Sequence, residues 1–396
     1  MRQEEIIEVL KEKGSFIRTK EDWERFKNFI KDKETPFLVI NPERVREKYR
    51  LIRENFPEAK IYYAVKANPV KEILEILKEE GSYFDIASIY ELDLLLEIGV
   101  EPERISFGNT IKKRTHIEYA YKKGVRLFVT DSEEDVKNIA KYAPGSKVFS
   151  RILTTGIGAD WPLSKKFGAH LDIVVDTLIL AKKLGLIPYG VSFHVGSQQR
   201  DVGQWDEAIA TARFIFNYMR DEEGIELKML NIGGGLPARY TEPIPEDDLL
   251  IKEIRRFVFE DFEDLPEIII EPGRFLVAEA GIIVSEVVLI SKKNYIDPYN
   301  WVYLDIGKFG GLIETIDESI KFPIICEREG FPKRVILAGP TCDSMDILYE
   351  KSEYYLPEDL KIGDKVFILS TGAYTLTYSS VSFNGFPPLK YYIWEK

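Results

Sequence analysis

One lysine stands in Tyr63-Ala64-Val65-Lys66-Ala67-Asn68-Pro69, at the end of an apolar run that reads as a strand. Asn68-Pro69 stops the run directly after it, which places the amine where a sheet opens onto its loops. In such partly desolvated ground an ammonium gives up its proton more readily, and the neutral amine attacks aldehydes. Most lysines are solvated surface charges, so this chemistry needs a site around it. Candidates recur down the chain: Asp85 in Phe84-Asp85-Ile86-Ala87-Ser88, Arg151, His194 and Ser197 in Ser192-Phe193-His194-Val195-Gly196-Ser197, the triplet Gly233-Gly234-Gly235, and Glu271-Pro272-Gly273-Arg274.

Taken singly, each has an ordinary explanation: a tight turn for the glycines, a hydrogen-bonded core residue for the histidine, a surface ion pair for Glu271 and Arg274. Taken together they match one ligand. Consecutive glycines let backbone N–H groups approach a phosphate, and Arg274 and Ser197 add charge and hydrogen bonds. His194 offers a flat ring to stack on a flat cofactor. Glu271 offers a carboxylate that holds a ring nitrogen protonated. A lysine, a phosphate cradle and a protonated ring fit pyridoxal 5′-phosphate, an electron sink for bonds broken at Cα.

The elements that must carry these residues follow a regular alternation. β-rich runs at 61–67, 83–87, 104–108, 126–130, 147–153, 189–195, 229–232 and 267–270 alternate with helical periodicity, as at 70–80, 89–98, 171–184 and 205–219. Eight such units predict a (β/α)8 TIM barrel, with an open doubly wound sheet as the other arrangement. Every candidate falls at the C-terminal end of a strand, where barrel enzymes place their chemistry. After Gly281 the runs at 282–290, 301–304, 334–337 and 365–369 have no regular helices between them and predict an all-β domain, with a turn region at 354–366 around Pro357 and Gly363. The run at 37–40 is expected to join that later sheet, and 4–13 and 20–31 read as surface helices. The expected organisation is 1–44 as N-terminal helices plus that strand, 45–280 as the barrel and 281–396 as the β domain.

Composition narrows the function. The chain has 396 residues, 45% hydrophobic and 30% charged, enough for one large core or two domains. No apolar run reaches transmembrane length, and the charged first 13 residues lack a signal-peptide core, which predicts a cytoplasmic protein. With two distant cysteines and three histidines, no metal site is expected. A formal charge of −12 argues against a nucleic-acid partner and is compatible with cationic substrates. Four glutamines amid many Glu, Lys and Arg hint at a heat-adapted source.

With these motifs the chain resembles the fold type III pyridoxal-phosphate decarboxylases, the ornithine, diaminopimelate and arginine decarboxylase group. Within that group it looks like the bacterial ornithine/lysine decarboxylases. The resemblance covers roughly residues 35–396, through Tyr-Ala-Val-Lys-Ala-Asn, Phe-His-Val-Gly-Ser, Gly-Gly-Gly, Glu-Pro-Gly-Arg and Gly339-Pro340-Thr341-Cys342-Asp343. It implies an alanine-racemase-like barrel in which Lys66 is the Schiff-base lysine, His194 stacks on the cofactor and Glu271 pairs with the pyridine nitrogen. By the same resemblance Ser197, Gly235, Arg274 and Tyr374 hold the phosphate, with Gly233, Gly234 and Gly273 in the same cradle, while Asp85 and Arg151 flank Lys66. It also implies that Cys342 returns a proton to Cα and that Asp343 meets the substrate's distal amine, both from a partner subunit, in a homodimer with shared sites. Read alone, Cys342 is ambiguous, since a lone cysteine is more often a small buried apolar residue. Its Gly-Pro-Thr and Asp-Ser flanks read as a loop, a better place for a reactive thiol.

The substrate is expected to be decided in the segment 305–318, Asp-Ile-Gly-Lys-Phe-Gly-Gly-Leu-Ile-Glu-Thr-Ile-Asp-Glu. Diaminopimelate decarboxylases carry an Arg-Pro here for a distal carboxylate, and this chain has none. Glu314, Asp317 and Glu318 stand instead, within about one helical turn, either as a solvated acidic face or as partners for a distal ammonium. The expected reaction is L-ornithine to putrescine, with L-lysine to cadaverine beside it, in polyamine synthesis; the two substrates differ by one methylene, worth only ~1–3 kcal/mol in a pocket. Arginine is disfavoured because the biosynthetic arginine decarboxylases of the group are much longer. Diaminopimelate decarboxylation is the alternative. Alanine racemase shares the architecture but places an arginine by the pyridine nitrogen, unlike Glu271. A non-catalytic homologue that only binds a partner would typically lack the lysine or the cysteine, and this chain has Lys66, Glu271, Cys342 and Tyr374.

Overall fold

A computed structural model describes residues 1–396 apart from Leu163, Ser164, Leu265 and Lys396. Its contacts group into two units. One is Arg46–Pro237 with Pro245–Phe275, and the other is Met1–Val45 with Ala238–Ile244 and Leu276–Lys396.

The first strand, β1 (Phe37–Ile40), belongs to the second unit. Then come β2 (Ala59–Ala64), β3 (Tyr83–Ile86), β4 (Ile105–Phe107), β5 (Leu127–Thr130), β6 (Lys147–Arg151), β7 (Ala159–Trp161), β8 (Ile187–Ser192), β9 (Ser197–Gln199), β10 (Met229–Asn231) and β11 (Glu267–Ile270). Eight of these close a parallel barrel in the order β2-β3-β4-β5-β6-β8-β10-β11, with β11 returning to β2. This is the TIM barrel expected from the alternation. Its strands are buried on both faces, which is why they read as apolar runs rather than alternating ones. Tyr62, Val129, Phe149, Met229 and Ile269 form one buried cluster, with the Tyr62 and Tyr83 rings stacked at 4.8 Å. The helices outside are started by side-chain caps where the sequence supplies them: Ser88 accepts from Glu91 N–H and Ser132 from Asp135 N–H.

Most strands end before their apolar runs do. The run at 61–67 is strand only to Ala64, and Val65–Ala67 form a single 3₁₀ turn. The run at 189–195 leaves the strand at Ser192. The residues between strand end and helix start therefore belong to loops at the barrel mouth. A short antiparallel pair, β7 with β9, was not expected, and Ser197 opens β9 rather than ending the sixth barrel strand.

The second unit is a sheet built from β12 (Gly281–Ser291), β13 (Asn300–Leu304), β14 (Ile324–Cys326), β15 (Pro332–Ala338), β16 (Ile347–Pro357), β17 (Lys365–Leu369) and β18 (Lys390–Ile393). The order is β14-β17-β12-β13-β15-β16, and β1 lies between β12 and β18. Thus β1 joins this sheet, antiparallel to β12 and parallel to β18. The helices Gln3–Glu12 and Lys20–Ile30 are not merely surface helices. Ile6, Leu10, Trp23 and Phe26 pack with Phe37, Ile282, Phe367 and Trp394 in one buried core. Three strands, β14, β16 and β18, lie where none was expected, and the turn region at 354–366 opens inside β16. Ala238–Ile244 and the residues from Leu276 to Gly281 join this unit rather than the barrel. The buried Glu279 carboxylate explains it, pairing with Arg44 at 2.7 Å and with Arg239 at 3.2 Å.

Candidate active site

The barrel brings six of the expected positions to one end. Asp85 lies in β3, Arg151 ends β6, His194 and Gly233 follow β8 and β10 by two residues, and Glu271 follows β11 by one. Lys66 occupies the 3₁₀ turn after β2. The turn is set locally: Tyr63 Oη donates to Asn68 O at 2.6 Å, and Val70 N–H donates to Asn68 Oδ1 at 3.1 Å. It presents Lys66 as an exposed side chain, not the partly desolvated one expected. What surrounds it is charge: Lys66 pulls down the proton affinities of Asp85, Glu91 and Glu271 and of His194.

The strand ends are laced together. Glu271 N–H donates to Gly233 O at 2.8 Å, and Ala64 N–H donates to Pro272 O at 3.1 Å. Gly233 N–H donates to Asn231 Oδ1 at 2.9 Å, while the same Asn231 side chain hydrogen-bonds the Glu271 carboxylate. Asn231 thus orients both the glycine turn and the carboxylate, and reading the sequence did not single it out. Gly233 and Gly235 have φ of +67° and +97°, and a Cβ would lie 2.1 Å from Phe193 O and 2.6 Å from Gly196 O. Only glycine fits both the backbone and the space. Beside them the buried Arg274 donates from Nε to Ser197 Oγ at 3.1 Å.

Electrostatics divide the carboxyls by role. Burial and the neighbouring Glu271 push Asp85 well above the usual carboxylate range, against the pull of Lys66 and Arg151. Burial also raises Glu271, opposed by Asn231, Arg151 and Lys66. Both carboxyls are thus pushed up by burial, and the charge of Glu271 pushes Asp85 further. Its Oδ1 is buried and has no partner among the described residues. Burial, Arg151 and Lys66 hold His194 well below its ordinary 6.5, so the imidazole is neutral. Glu91, also missed in the sequence, is pushed up to about 7 by burial.

The remaining candidates belong to the sheet unit. Cys342 and Asp343 are exposed on a loop between β15 and β16. Cys342 N–H donates to Asn384 Oδ1 at 2.7 Å, and Met345 N–H donates to Asp343 Oδ1 at 2.8 Å. Tyr374 sits in the loop after β17 with φ +54°, its ring stacked on Tyr378 at 5.9 Å. The acidic segment is not one helical face. Residues Ile313–Glu318 form a 3₁₀ stretch broken at Ile316 and Asp317. Glu314 is buried, while Glu318 accepts backbone N–H bonds from Glu350, Lys351 and Ser352 at 2.6–2.8 Å. Burial alone would raise Glu318, but these donors outweigh it and hold the acid down. Glu318 is a brace on β16. Asp317, with φ +52°, is the exposed acid of the three.

A parallel barrel with a lysine, a carboxyl cluster and a side-chain-free cradle beside a buried arginine defines a cofactor-dependent barrel enzyme. The family model of the pyridoxal-dependent decarboxylase pyridoxal-binding domain matches residues 42–278. The chain belongs to the pyridoxal-dependent decarboxylases, and pyridoxal 5′-phosphate is the cofactor of that family. Similar proteins include a lysine/ornithine decarboxylase of Selenomonas ruminantium, 35% identical over 89% of this chain and 88% of that protein. An antizyme inhibitor 2 of Xenopus laevis is 33% identical over 90% of this chain and 80% of that protein. The solved Paramecium bursaria Chlorella virus arginine decarboxylase superposes with a TM-score of 0.86 at 30% identity, covering 93% of this chain and 99% of that one. This last match corrects the argument from length, because an arginine decarboxylase of this size exists.

The residues present fit the cofactor. The turn at Gly233 and Gly235 is bare of side chains and packs closely on Phe193 O and Gly196 O, the buried Arg274 suits an anion, and the unpartnered Asp85 Oδ1 awaits a polar group.

Proposed function

We propose that the protein decarboxylates L-ornithine to putrescine, and also L-lysine to cadaverine, as a cytoplasmic homodimer in polyamine synthesis. The observation that carries this reading is the barrel-mouth cluster of Lys66, Asp85, Glu271 and Arg274, joined to a segment 305–318 that has acidic residues and no Arg-Pro. When bound, the cofactor supplies an electron sink for the pair left behind as CO2 departs.

The chain's own residues do the rest. Lys66 Nζ would hold the aldehyde carbon, and Arg274, Ser197, Tyr374 and the glycine-turn N–H groups would hold the phosphate, with Gly273 beside Arg274. Glu271, oriented by Asn231, would keep a proton on the ring nitrogen. Asp85, pushed well up by burial and by Glu271, resists placing a second carboxylate charge there. His194, being neutral, adds flat contact without a competing positive charge. Cys342 Sγ would return the proton to Cα from the partner subunit, and Asp343 with Asp317 would take the distal ammonium. A distal cation favours acidic partners, which supports ornithine and lysine over diaminopimelate.

The test is a comparison of kcat/KM on ornithine, lysine, arginine and meso-diaminopimelate. Highest efficiency on diaminopimelate or arginine would overturn the substrate assignment. The antizyme-inhibitor relative favours a second reading, a binding protein without catalysis. Lys66, Glu271, Cys342 and Tyr374 speak for the enzyme, and CO2 release from any of the four amino acids decides between the two.

A further inference from the structure

Asp346 is buried although its loop neighbours Cys342, Asp343, Ser344 and Met345 are exposed. Its carboxylate accepts three hydrogen bonds. Lys308 N–H reaches Oδ1 at 2.8 Å, and Thr341 N–H and Oγ1 reach Oδ2 at 3.1 and 2.6 Å. Its backbone closes the loop on itself: Asp346 N–H donates to Asp343 O at 3.1 Å, and Gly339 N–H donates to Asp346 O at 2.8 Å. The two loops give way around it. A Cβ on Gly307 would lie 2.1 Å from Oδ1, and one on Gly339 would lie 2.4 Å from both oxygens.

One carboxylate therefore organises two loops. One carries Cys342 and Asp343, and the other opens the segment that runs through Lys308 to Asp317. A buried anion is an expensive way to brace a loop, and a well-packed apolar side chain would often serve stability as well. What three convergent hydrogen bonds provide is fixed geometry. A group that delivers a proton needs that, since ~1 Å of misplacement costs ~100-fold in rate.

We propose that Asp346 is a positioning residue that sets the Cys342 thiol and the Lys308 turn for proton delivery to Cα. This rests on the decarboxylase reading above. Asp346→Asn keeps the shape but puts an amide N–H2 against one of the N–H donors.

The experiment has two arms. In the first, iodoacetamide alkylation of Cys342 is timed in the cofactor-free and loaded protein; Cys326 is buried, so the exposed thiol reports alone. A change of about 3-fold or more is expected in Asp346→Asn, as for a loop freed to move. In the second, amine and aldehyde products are counted per CO2 released. When the proton misses Cα, the α-amino nitrogen stays with the cofactor and water supplies the aldehyde oxygen. Asp346→Asn should raise the aldehyde fraction about 10-fold and lower kcat far more than it changes KM. Thr341→Val, which removes only the Oγ1 bond, should move both readouts in the same direction by less, and it carries the test if Asp346→Asn fails to fold. If both variants change melting temperature but leave alkylation rate and product ratio at wild-type values, Asp346 is structural only and the proposal is overturned. If the wild type releases no CO2 from any of the four amino acids, the decarboxylase reading fails, and the alkylation arm still judges Asp346.

Discussion

Glu91 gives a prediction whose size follows from its surroundings. It is the third residue of the helix Ile89–Glu97, donates its N–H to Ser88 Oγ at 3.3 Å and accepts from Ala87 N–H at 3.4 Å. Burial pushes its acid up to about 7 from an ordinary 4.5, while Ala87 N–H and Lys66 pull the other way. In the unfolded chain the group ionises near its ordinary value. Between the two values the folded chain holds a proton that the unfolded chain has lost. Stability from this group is thus full below pH 4.5 and is lost as pH rises through 7. At 1.36 kcal/mol per decade the whole shift is about 3 kcal/mol, and partial exposure reduces it to about 1–3 kcal/mol. Glu91→Gln keeps both hydrogen-bonding roles and removes the titration. Thermal unfolding of cofactor-free wild type and variant should be compared from pH 4 to pH 9. The melting temperature of the variant minus that of the wild type should climb with pH by about 1–4 °C, reaching its plateau above pH 7. Asp85 and Glu271 titrate in the same sense and are present in both proteins; removing the Glu91 charge also relieves Asp85, which widens the difference in the same direction. Replacing Lys66 by Ala removes the ammonium that favours the anion and should move the plateau to higher pH. A difference that stays flat across the range would mean that Glu91 is solvated and that the carboxyl cluster does not extend to it.

Purified protein with cofactor should be yellow, and borohydride should attach the cofactor to the peptide bearing Lys66; an adduct on a peptide lacking Lys66 would refute its assignment. Glu271→Gln should retain cofactor but lose about 100-fold or more in kcat, because a neutral amide stabilises the protonated ring nitrogen poorly; unchanged turnover would make Glu271 structural. Cys342→Ala should still release CO2 but yield more aldehyde per CO2 than wild type, measured by product chromatography. Mixing Lys66→Ala with Cys342→Ala, with subunit exchange verified by differential tagging, should restore amine formation to roughly a quarter of the wild-type rate if each site draws on both subunits; exchange without recovery would mean that each chain completes its own site.

The barrel was legible because its signal is local. A strand buried on both faces must be apolar along its length, and a helix covering it must carry a stripe, so 220 residues of alternation leave few other folds. The sheet unit was only half legible because its pairings are not local. β1 pairs in parallel with β18, 353 residues later at Phe37 and Lys390, and neither short run announces its partner. β16 mixes buried and exposed residues on its way to Pro357, so Tyr354 and Tyr355 looked like part of a turn. The same limit broke the acidic segment: spacing within one helical turn holds only for a helix, and the chain reverses to positive φ at Asp317 and Glu318.

At the site, reading from sequence singled out the groups proposed to touch a ligand and missed the groups that hold them. Lys66, Glu271, Arg274 and the glycines are conspicuous because their chemistry is rare at strand ends. Asn231, Glu91 and Asp346 have ordinary side chains in ordinary places, and their roles appear only when distant segments meet: Asn231 between a glycine turn and Glu271, and Asp346 between residues 308 and 341. For Lys66 the expected surroundings need changing. Its surroundings matter less by drying the amine than by gathering Asp85, Glu91 and Glu271 around an exposed ammonium. Once that ammonium condenses with a bound aldehyde, shedding a proton and water, three acids lose a stabilising charge together. Cofactor loading should therefore release less than the one proton per site that the condensation sheds, the acids taking back more of it as pH approaches 7 from above. Calorimetric titration in buffers of different ionisation enthalpy measures that net release directly. Release of one full proton per site at every pH would mean that the acids do not sense the lysine.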